Sequence, residues 1–523
     1  MLRTQLSADP TGRFVHDVIL ESCQRTPGKT ALIDASCDRR MTYAEYGELV
    51  ETLARGLVAA GLAPGEVIAI FLSNSWEFAI TYHAATLAGG FPTLLNPSYR
   101  EREIRFQLEN SGAAFLITDA PLLENVNLGG LPGLRRVYAT RHEHGGCEPF
   151  ANLLKASSAK LPRPAESSAK TIAALPYSSG TTGLPKGVML SHHNLVANVY
   201  QILGPNAAPF VPDDTILCFL PLYHIFGLTV GLTLSMTLGS TLVLMPRFDV
   251  QKLCGLLVEE GVTMMPMVPP VINALCQVAA AGAFPKNHRV RWIKSGAAPL
   301  APELARRLAD LTGIVVNQGY GMTEASPVTH VGFCSPPEMN RPASIGQPLA
   351  KTECRVLDLE DKEVAPGEQG ELVMRGPQFM LGYWKEPQAT AAVLRDGWYY
   401  SGDVVRRDED GFYYVLDRRK EMIKYKGFPV APAEVESLLL EHPAVRDCGV
   451  VGKPDADAGE IPCAFVVLRD GFEASTTLDG ELRAFVGDRL AHHKQPREVH
   501  FVAAVPRTPS GKILRRELRK TLS

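Results

Sequence analysis

Residues 177–188 read YSSGTTGLPKGV, from Tyr177 to Val188, and place small hydroxyl side chains, three glycines and one lysine in a single turn-prone loop. Such a loop holds phosphate. Glycine lets the backbone bend and approach a ligand, the hydroxyls of Ser178, Ser179, Thr181 and Thr182 donate to phosphate oxygens, and Lys186 supplies a compact positive charge. A Walker A loop needs Gly-Lys followed by Ser or Thr at fixed spacing after an earlier glycine. Here Lys186 follows Pro185 and precedes Gly187, which disfavours a P-loop kinase or GTPase. A flexible Ser/Gly linker is the bland alternative, and the flanks argue against it. An apolar run, Thr171 to Tyr177, enters the loop, and VMLSHHNLVANV leaves it, with Ser191 placed to cap a helix.

Working outward, 523 residues exceed one ordinary domain. A net charge of −3, with Lys and Arg interspersed among Asp and Glu, gives no basic field for nucleic acid. The ten cysteines form no CxxC pair and no Cys/His ladder, so they read as reduced, mostly buried small hydrophobes of an intracellular, cytoplasmic protein. MLRTQLSADPTGRF lacks the apolar core of a signal peptide, and Thr521-Leu522-Ser523 is not an SKL-type address. His142/His144 and His492/His493 are isolated and read as surface residues rather than metal ligands.

The first half alternates helix and strand signals. Thr42 and Glu45 make a capping box before an amphipathic run to Gly61, strand-like VIAIFL follows from Val67 to Leu72, and Asn74-Ser75 opens another helix reaching Gly89-Gly90. Repeated units of this kind predict an α/β fold of mainly parallel sheets covered by helices. Lys155 to Lys170 reads as a surface linker. Ile225 to Met245 runs without a charge and is long enough to span a bilayer, but Gly239-Ser240 divides it into a helix-like half and a β-branched half. It is expected to be a buried helix feeding a central strand, so no membrane span is expected.

Further motifs follow the loop: PLYHIFG at Pro221, QGYGMTE at Gln318, SGD at Ser401, DRRKEMIKYKGFPVAP at Asp417 and PSGKILRREL at Pro509. Together and in this order they resemble the adenylate-forming enzymes: acyl-CoA synthetases, firefly luciferase and the adenylation domains of peptide synthetases, with the 4-coumarate:CoA ligase-like branch nearest. The resemblance covers nearly the whole chain. It implies that a carboxylate attacks the α-phosphate of ATP to give an acyl-adenylate and pyrophosphate, and that the acyl group then passes to CoA. Catalysis of that kind is positioning and charge neutralisation. It also implies a large N-terminal domain (1–416), a hinge (417–420, pivoting at Lys420) and a small mobile C-terminal domain (421–523) with α+β character.

By the same resemblance, residues 178–187 (Ser178, Ser179, Gly180, Thr181, Thr182, Gly183 and Lys186 among them) embrace the β- and γ-phosphates. Gly319, Tyr320 and Gly321 form the adenine side, Tyr320 stacking on the base. Thr323 contacts the α-phosphate, and Glu324, with Thr182, holds Mg²⁺, a hard cation that prefers oxygen. Asp403 and Arg418 bind the ribose hydroxyls. Lys512 serves adenylation, while Lys424, Lys426 and Gly427 form the face presented to CoA after rotation of the small domain. Two departures stand out: Val405 where relatives carry glycine, and Pro429 where coumarate ligases carry Gln.

His224 lies, by resemblance, at the mouth of an acyl pocket lined by Phe226, Val230, Lys294, Gly296, Ala297, Gly321, Met322, Pro327 and Val328. The Asp with which amino-acid-activating relatives hold an α-ammonium is missing, so a zwitterion would bury an unpaired charge. Phe226 and Val230 replace the Tyr and Ser that help coumarate ligases position a phenol, leaving only Lys294, and Ala297 replaces a glycine. The expected substrate is therefore a hydrophobic monocarboxylic acid, medium-chain fatty or unsubstituted aryl, in preference to 4-coumarate. The expected partners are the acid, ATP and CoA, and the assembly a monomer or homodimer. The alternatives are 4-coumarate ligation itself, delivery of the acyl group to a carrier protein, a luciferase-like oxygenase and a non-enzymatic binding protein.

Overall fold

Apolar β-branched runs too short for helices form the strands, and capped amphipathic runs between them form the covering layers. In the computed structural model, the described residues are 10–141, 145–163, 167–178, 185–204, 209–333, 339–418, 421–426, 428–455, 457–508 and 511–522. The capping box forms as the sequence predicts: Thr42 Oγ1 accepts from the Glu45 N–H at 3.2 Å, and Glu45 returns a carboxylate to the Thr42 N–H at 2.7 Å. The helix runs Tyr43–Ala59, the strand Val67–Phe71, and the next helix Trp76–Leu87 is capped by Ser75.

Two large sheets carry the first part of the chain. One has nine strands with a parallel centre, from Thr30–Asp34 through Thr241–Leu244, Thr215–Cys218, Met264–Met267 and Trp292–Ser295 to Val315–Gly321. The other has eight, parallel from Ile172–Ser178 across Phe91–Leu94, Val67–Phe71 and Ala113–Thr118 to Arg136–Ala139. Full burial of strands such as VIAIF is what a sheet covered on both faces requires. This is the mixed α/β architecture expected from the sequence.

The charge-free stretch after Ile225 is core. Gly227–Thr233 winds as a π-helix that passes into the α-helix Leu234–Leu238, Gly239 turns the chain at φ 81°, and Thr241–Leu244 enters the nine-stranded sheet. The π-winding was not legible in the pattern. Among the described residues no helix is long and apolar enough to cross a membrane. The 155–170 stretch is less loose than expected at its end, where Ser168 is buried and the Ser167 carbonyl accepts from the N–H groups of Lys170 and Thr171.

Beyond Val331 the chain builds a smaller antiparallel sheet from Glu353–Leu357, Gln369–Arg375, Trp398–Arg407 and Tyr413–Arg418. Val405 is fully buried there, opposite Gly370, where an added Cβ would lie 2.5 Å from the Leu357 carbonyl oxygen. The larger side chain thus faces a partner that must stay small. A last sheet, Ile423–Tyr425, Phe428–Val430, Val445–Asp455, Gly459–Leu468 and Glu498–Phe501, packs on the helices Pro432–Leu439 and Thr476–Gly487 around Val435, Leu439, Val450, Val466 and Leu482. The described cysteines are free thiols, five of them buried and Cys37 exposed.

Candidate active site

The phosphate-loop motif spans an antiparallel hairpin. Strand Ile172–Ser178 pairs with Lys186–Ser191 so that Ser178 faces Lys186 and Tyr177 faces Gly187. Ser179, Gly180, Thr181, Thr182 and Gly183 lie outside the described residues. Gly187 lets the hairpin close: an added Cβ would sit 3.1–3.2 Å from Leu175, Trp384 and Tyr177. Ser191 caps the helix His192–Leu203 at the far end, as expected. The two-residue strand Gly382–Tyr383 pairs with the outgoing arm and brings the Tyr383 ring to 5.3 Å from the Lys186 ammonium.

Strand Val315–Gly321 delivers the QGYGMTE motif. It leaves the parallel sheet and folds back on Val328–Val331, a reversal only glycine allows at Gly321, because a Cβ there would lie 2.1 Å from the Pro327 carbonyl oxygen. The turn Thr323–Ala325 then swings Glu324 under the phosphate hairpin. Its Oε1 accepts from Tyr383 Oη at 2.8 Å and from Ser178 Oγ at 3.2 Å, locking the QGYGMTE turn to the mouth of the loop.

Tyr320 reaches the other way and donates its phenolic proton to Asp403 Oδ2 in a short hydrogen bond. Burial and that carboxylate hold the phenol far above its usual pKa, so it stays a donor. Asp403 Oδ1 pairs with Arg418 Nε at 3.1 Å. Strand register accounts for the pairing, since Asp403 and Arg418 are direct cross-strand partners. Ser401 supports them: its hydroxyl donates to the Leu372 carbonyl at 2.6 Å and accepts from the Asp403 N–H at 3.1 Å.

These groups line one cavity of ≈ 1020 Å³. Ser178, Lys186, Gly319, Tyr320, Thr323, Glu324, Asp403 and Arg418 line it, joined by Thr508 and Lys512 from the C-terminal part of the chain. So do His224, Phe226, Val230, Lys294, Gly296, Ala297, Gly321, Met322, Pro327 and Val328. Both expected groups thus share one space. Gly296 is required by Phe226, whose ring would stand 3.0 Å from an added Cβ. Ala297 holds φ 68°, a left-handed conformation that favours glycine, and still carries its methyl group into the wall.

His224 turns Nδ1 to accept from the Phe226 N–H at 3.2 Å, which leaves the proton of the neutral ring on Nε2. Burial holds its pKa down, at about 4. Lys294 is buried, and its ammonium donates to the Gly332 carbonyl at 2.8 Å, a commitment the sequence did not reveal. Burial and the Arg418 guanidinium lower the Lys512 pKa from the usual ammonium range.

Lys424 and Lys426 are exposed and do not line the cavity. Lys420 and Gly427 lie outside the described residues. Of the isolated histidines, His492 is exposed and His493 stacks on Phe428 at 5.1 Å, while His142 and His144 are not described. Sequence reading missed Tyr383 and Glu371. The first holds Glu324 and the second accepts from the Gly402 N–H at 3.0 Å. Neither sits in a motif; only the strand pairing brings them in.

Oxygen donors gathered around Glu324, from its own carboxylate, Ser178 and Tyr383, suit a hard cation such as Mg²⁺. When bound there with a nucleotide, such an ion would neutralise phosphate charge; the protein groups orient the oxygens around it.

Comparison with known proteins gives the same architecture. The AMP-binding enzyme family matches residues 19–384, and the AMP-binding enzyme C-terminal domain matches residues 434–512. A 4-coumarate–CoA ligase of Oryza sativa subsp. japonica is 38% identical over 518 residues, covering 97% of this chain and 94% of the relative. A 4-coumarate–CoA ligase of Pinus taeda is 37% identical, with 97% and 95% covered. Among solved structures, the anthranilate CoA ligase AuaEII in complex with anthranoyl-AMP superposes with a TM-score of 0.88 at 26% identity, covering 98% of this chain and 97% of that one. A benzoate CoA ligase from Burkholderia xenovorans LB400 gives 0.86 at 28%, with 97% and 100% covered. With the motifs in order and the fold matched end to end, the chain belongs to the AMP-binding enzyme family, among the AMP-forming acid–CoA ligases.

Proposed function

We propose that the protein activates a hydrophobic monocarboxylic acid, medium-chain fatty or unsubstituted aryl, as its acyl-adenylate and transfers the acyl group to CoA. The observation that carries the substrate class is the wall of the expected acyl pocket. Phe226, Val230, Met322, Pro327 and Val328 are apolar, and the one ammonium among them, on Lys294, already donates to Gly332. A phenolic hydroxyl entering among these apolar side chains gives up its water, at about 1–3 kcal/mol where the lost hydrogen bond is not remade. The methyl group of Ala297 narrows the same wall, and one methyl discriminates by roughly 1 kcal/mol or a little more.

In this reading the substrate carboxylate lies beside the neutral His224, whose Nε2–H donates to it. Thr323 and Lys512 bear on the reacting α-phosphate, and Lys186 with the hydroxyls of the loop takes the β- and γ-phosphates. Asp403 and Arg418 take the ribose. The small domain, from residue 421 onward, then turns about Lys420 to bring Lys424, Lys426 and Gly427 to the CoA side. Supporting the two-position reading, Lys512 lines the cavity while Lys424 does not.

The test is kcat/KM for octanoate, cinnamate and 4-coumarate, measured side by side with ATP and CoA. Octanoate or cinnamate should exceed 4-coumarate by roughly tenfold or more, as an unpartnered hydroxyl requires. The identity to 4-coumarate ligases favours the opposite ranking, and a clear win for 4-coumarate would overturn the apolar reading of Phe226 and Val230.

A further inference from the structure

Three residues beyond Lys512, one guanidinium gathers the last part of the chain. Arg515 is buried, and its Nη2 donates to both oxygens of Glu436 at 2.8 Å. Its Nη1 donates to Glu421 Oε2 at 3.0 Å and its Nε to the Val450 carbonyl at 3.1 Å. Four separate segments meet at one side chain: the turn after Arg418, the helix Pro432–Leu439, the strand Val445–Asp455 and the helix Arg515–Lys520. Glu436 is itself fixed from the other side, accepting from the Val450 N–H at 2.7 Å. The turn bearing Glu421 is built on the ribose-side arginine, since the N–H groups of Glu421 and Met422 donate to the Arg418 carbonyl at 2.8 and 3.0 Å.

The Lys512 loop is held at both ends. Arg507 donates to the Gly511 carbonyl at 2.8 Å and pairs with Asp447 at 2.6 Å, and the Thr508 and Lys512 backbones bond each other at 2.8 Å. Arg515 closes the other end. Lysine could not replace it, because one ammonium cannot present a planar fork to Glu436 while reaching Glu421 and Val450.

We propose that Arg515 is a positioning residue for adenylation: by tying Glu421, in the turn built on Arg418, to the base of the Lys512 loop, it fixes where the Lys512 ammonium enters the cavity. The proposal rests on the adenylation role given to Lys512 above. The charged groups facing Lys512 are Arg418, Glu421, Asp403 and Arg515, so Glu421 both anchors the arginine and raises the ammonium pKa against the burial and the Arg418 charge that lower it.

The experiment uses the full-length protein with Glu421→Gln, Arg515→Lys and Lys512→Ala, each assayed separately for pyrophosphate release and for CoA transfer from preformed acyl-AMP. Glu421→Gln leaves the Arg515–Glu436 pair in place and decides the question even if Arg515→Lys fails to fold. Expected for Glu421→Gln is a fall of about fivefold or more in adenylation kcat, with KM for ATP within twofold and CoA transfer within twofold. The high-pH limb of adenylation should move down, because a carboxylate whose charge raises the Lys512 pKa has gone. Unchanged adenylation, a limb that stays in place, or equal loss in both half-reactions overturns the proposal. If Lys512→Ala itself spares adenylation, the underlying reading of Lys512 fails, and that result is distinct from the others.

Discussion

At the scale of the residue, the cavity separates groups fixed by neighbours from groups left to act. Asp403, Tyr320 and Arg418 form one bonded chain, and Glu324 is held by Tyr383 and Ser178, so their positions are set before a nucleotide arrives. Preorganised charge of this sort costs no reorganisation at the moment of reaction. Lys512 instead reaches in from the small domain, with its pKa lowered by burial and by Arg418. On the proposed assignment, replacing it by Ala removes a charge shared between carboxylate and α-phosphate and should cost adenylation roughly 10²-fold or more. CoA transfer from preformed acyl-AMP should survive much better. Equal losses in the two half-reactions, measured by single turnover, would remove Lys512 from its assigned step.

At the scale of the element, the site depends on close backbone approaches. The reversal at Gly321 places Tyr320 opposite His330 and sends Glu324 back under the hairpin. An alanine there meets the Pro327 carbonyl at 2.1 Å, so strand Val315–Gly321 must part from Val328–Val331. Gly321→Ala should weaken AMP binding by at least ~10-fold, about 1.4 kcal/mol, while leaving the far-ultraviolet circular dichroism spectrum unchanged. Calorimetric titration with AMP checks it. Wild-type affinity would mean that the turn is not what aims Tyr320 and Glu324.

At the scale of the whole molecule, the hydrophobic clusters described up to Val415 and those from Ile423 onward have no residue in common, which suits a rotation between them. Proline at Lys420 fixes φ and removes an N–H, so Lys420→Pro should spare acyl-adenylate formation and depress CoA transfer by roughly tenfold or more. Unchanged overall turnover moves the hinge elsewhere. The larger body also carries buried neutral histidines. His83 bonds Tyr46 at 2.7 Å, and burial pushes its pKa down to about 3 against an unfolded value near 6.5. Below pH ~6.5 the unfolded chain therefore takes up a proton that the folded one refuses, so this contribution to stability is complete above that pH and falls as pH drops toward 3. The pH 7 to pH 5 loss of stability should be smaller in His83→Gln than in the wild type, by on the order of 1–2 kcal/mol, in urea unfolding followed at both pH values. An identical loss in both proteins would mean that His83 is not a source of it.

Local chemistry alone determined a good deal of this protein. The Thr42–Glu45 box, the Ser191 cap, the strand at Val67 and the glycine break at Gly239 were legible because each depends on neighbours within a few residues, whose spacing the sequence displays. The ordered motifs likewise gave the family and the residues that converge on the cavity. Only the tertiary structure decided what depends on distant partners. Tyr383 joins Glu324 across 59 residues, Lys294 is committed to Gly332, Val405 is accommodated by Gly370, and Arg515 meets Glu421 and Glu436. Sheet register and side-chain packing set those pairings, and nothing within a few residues of either partner encodes them.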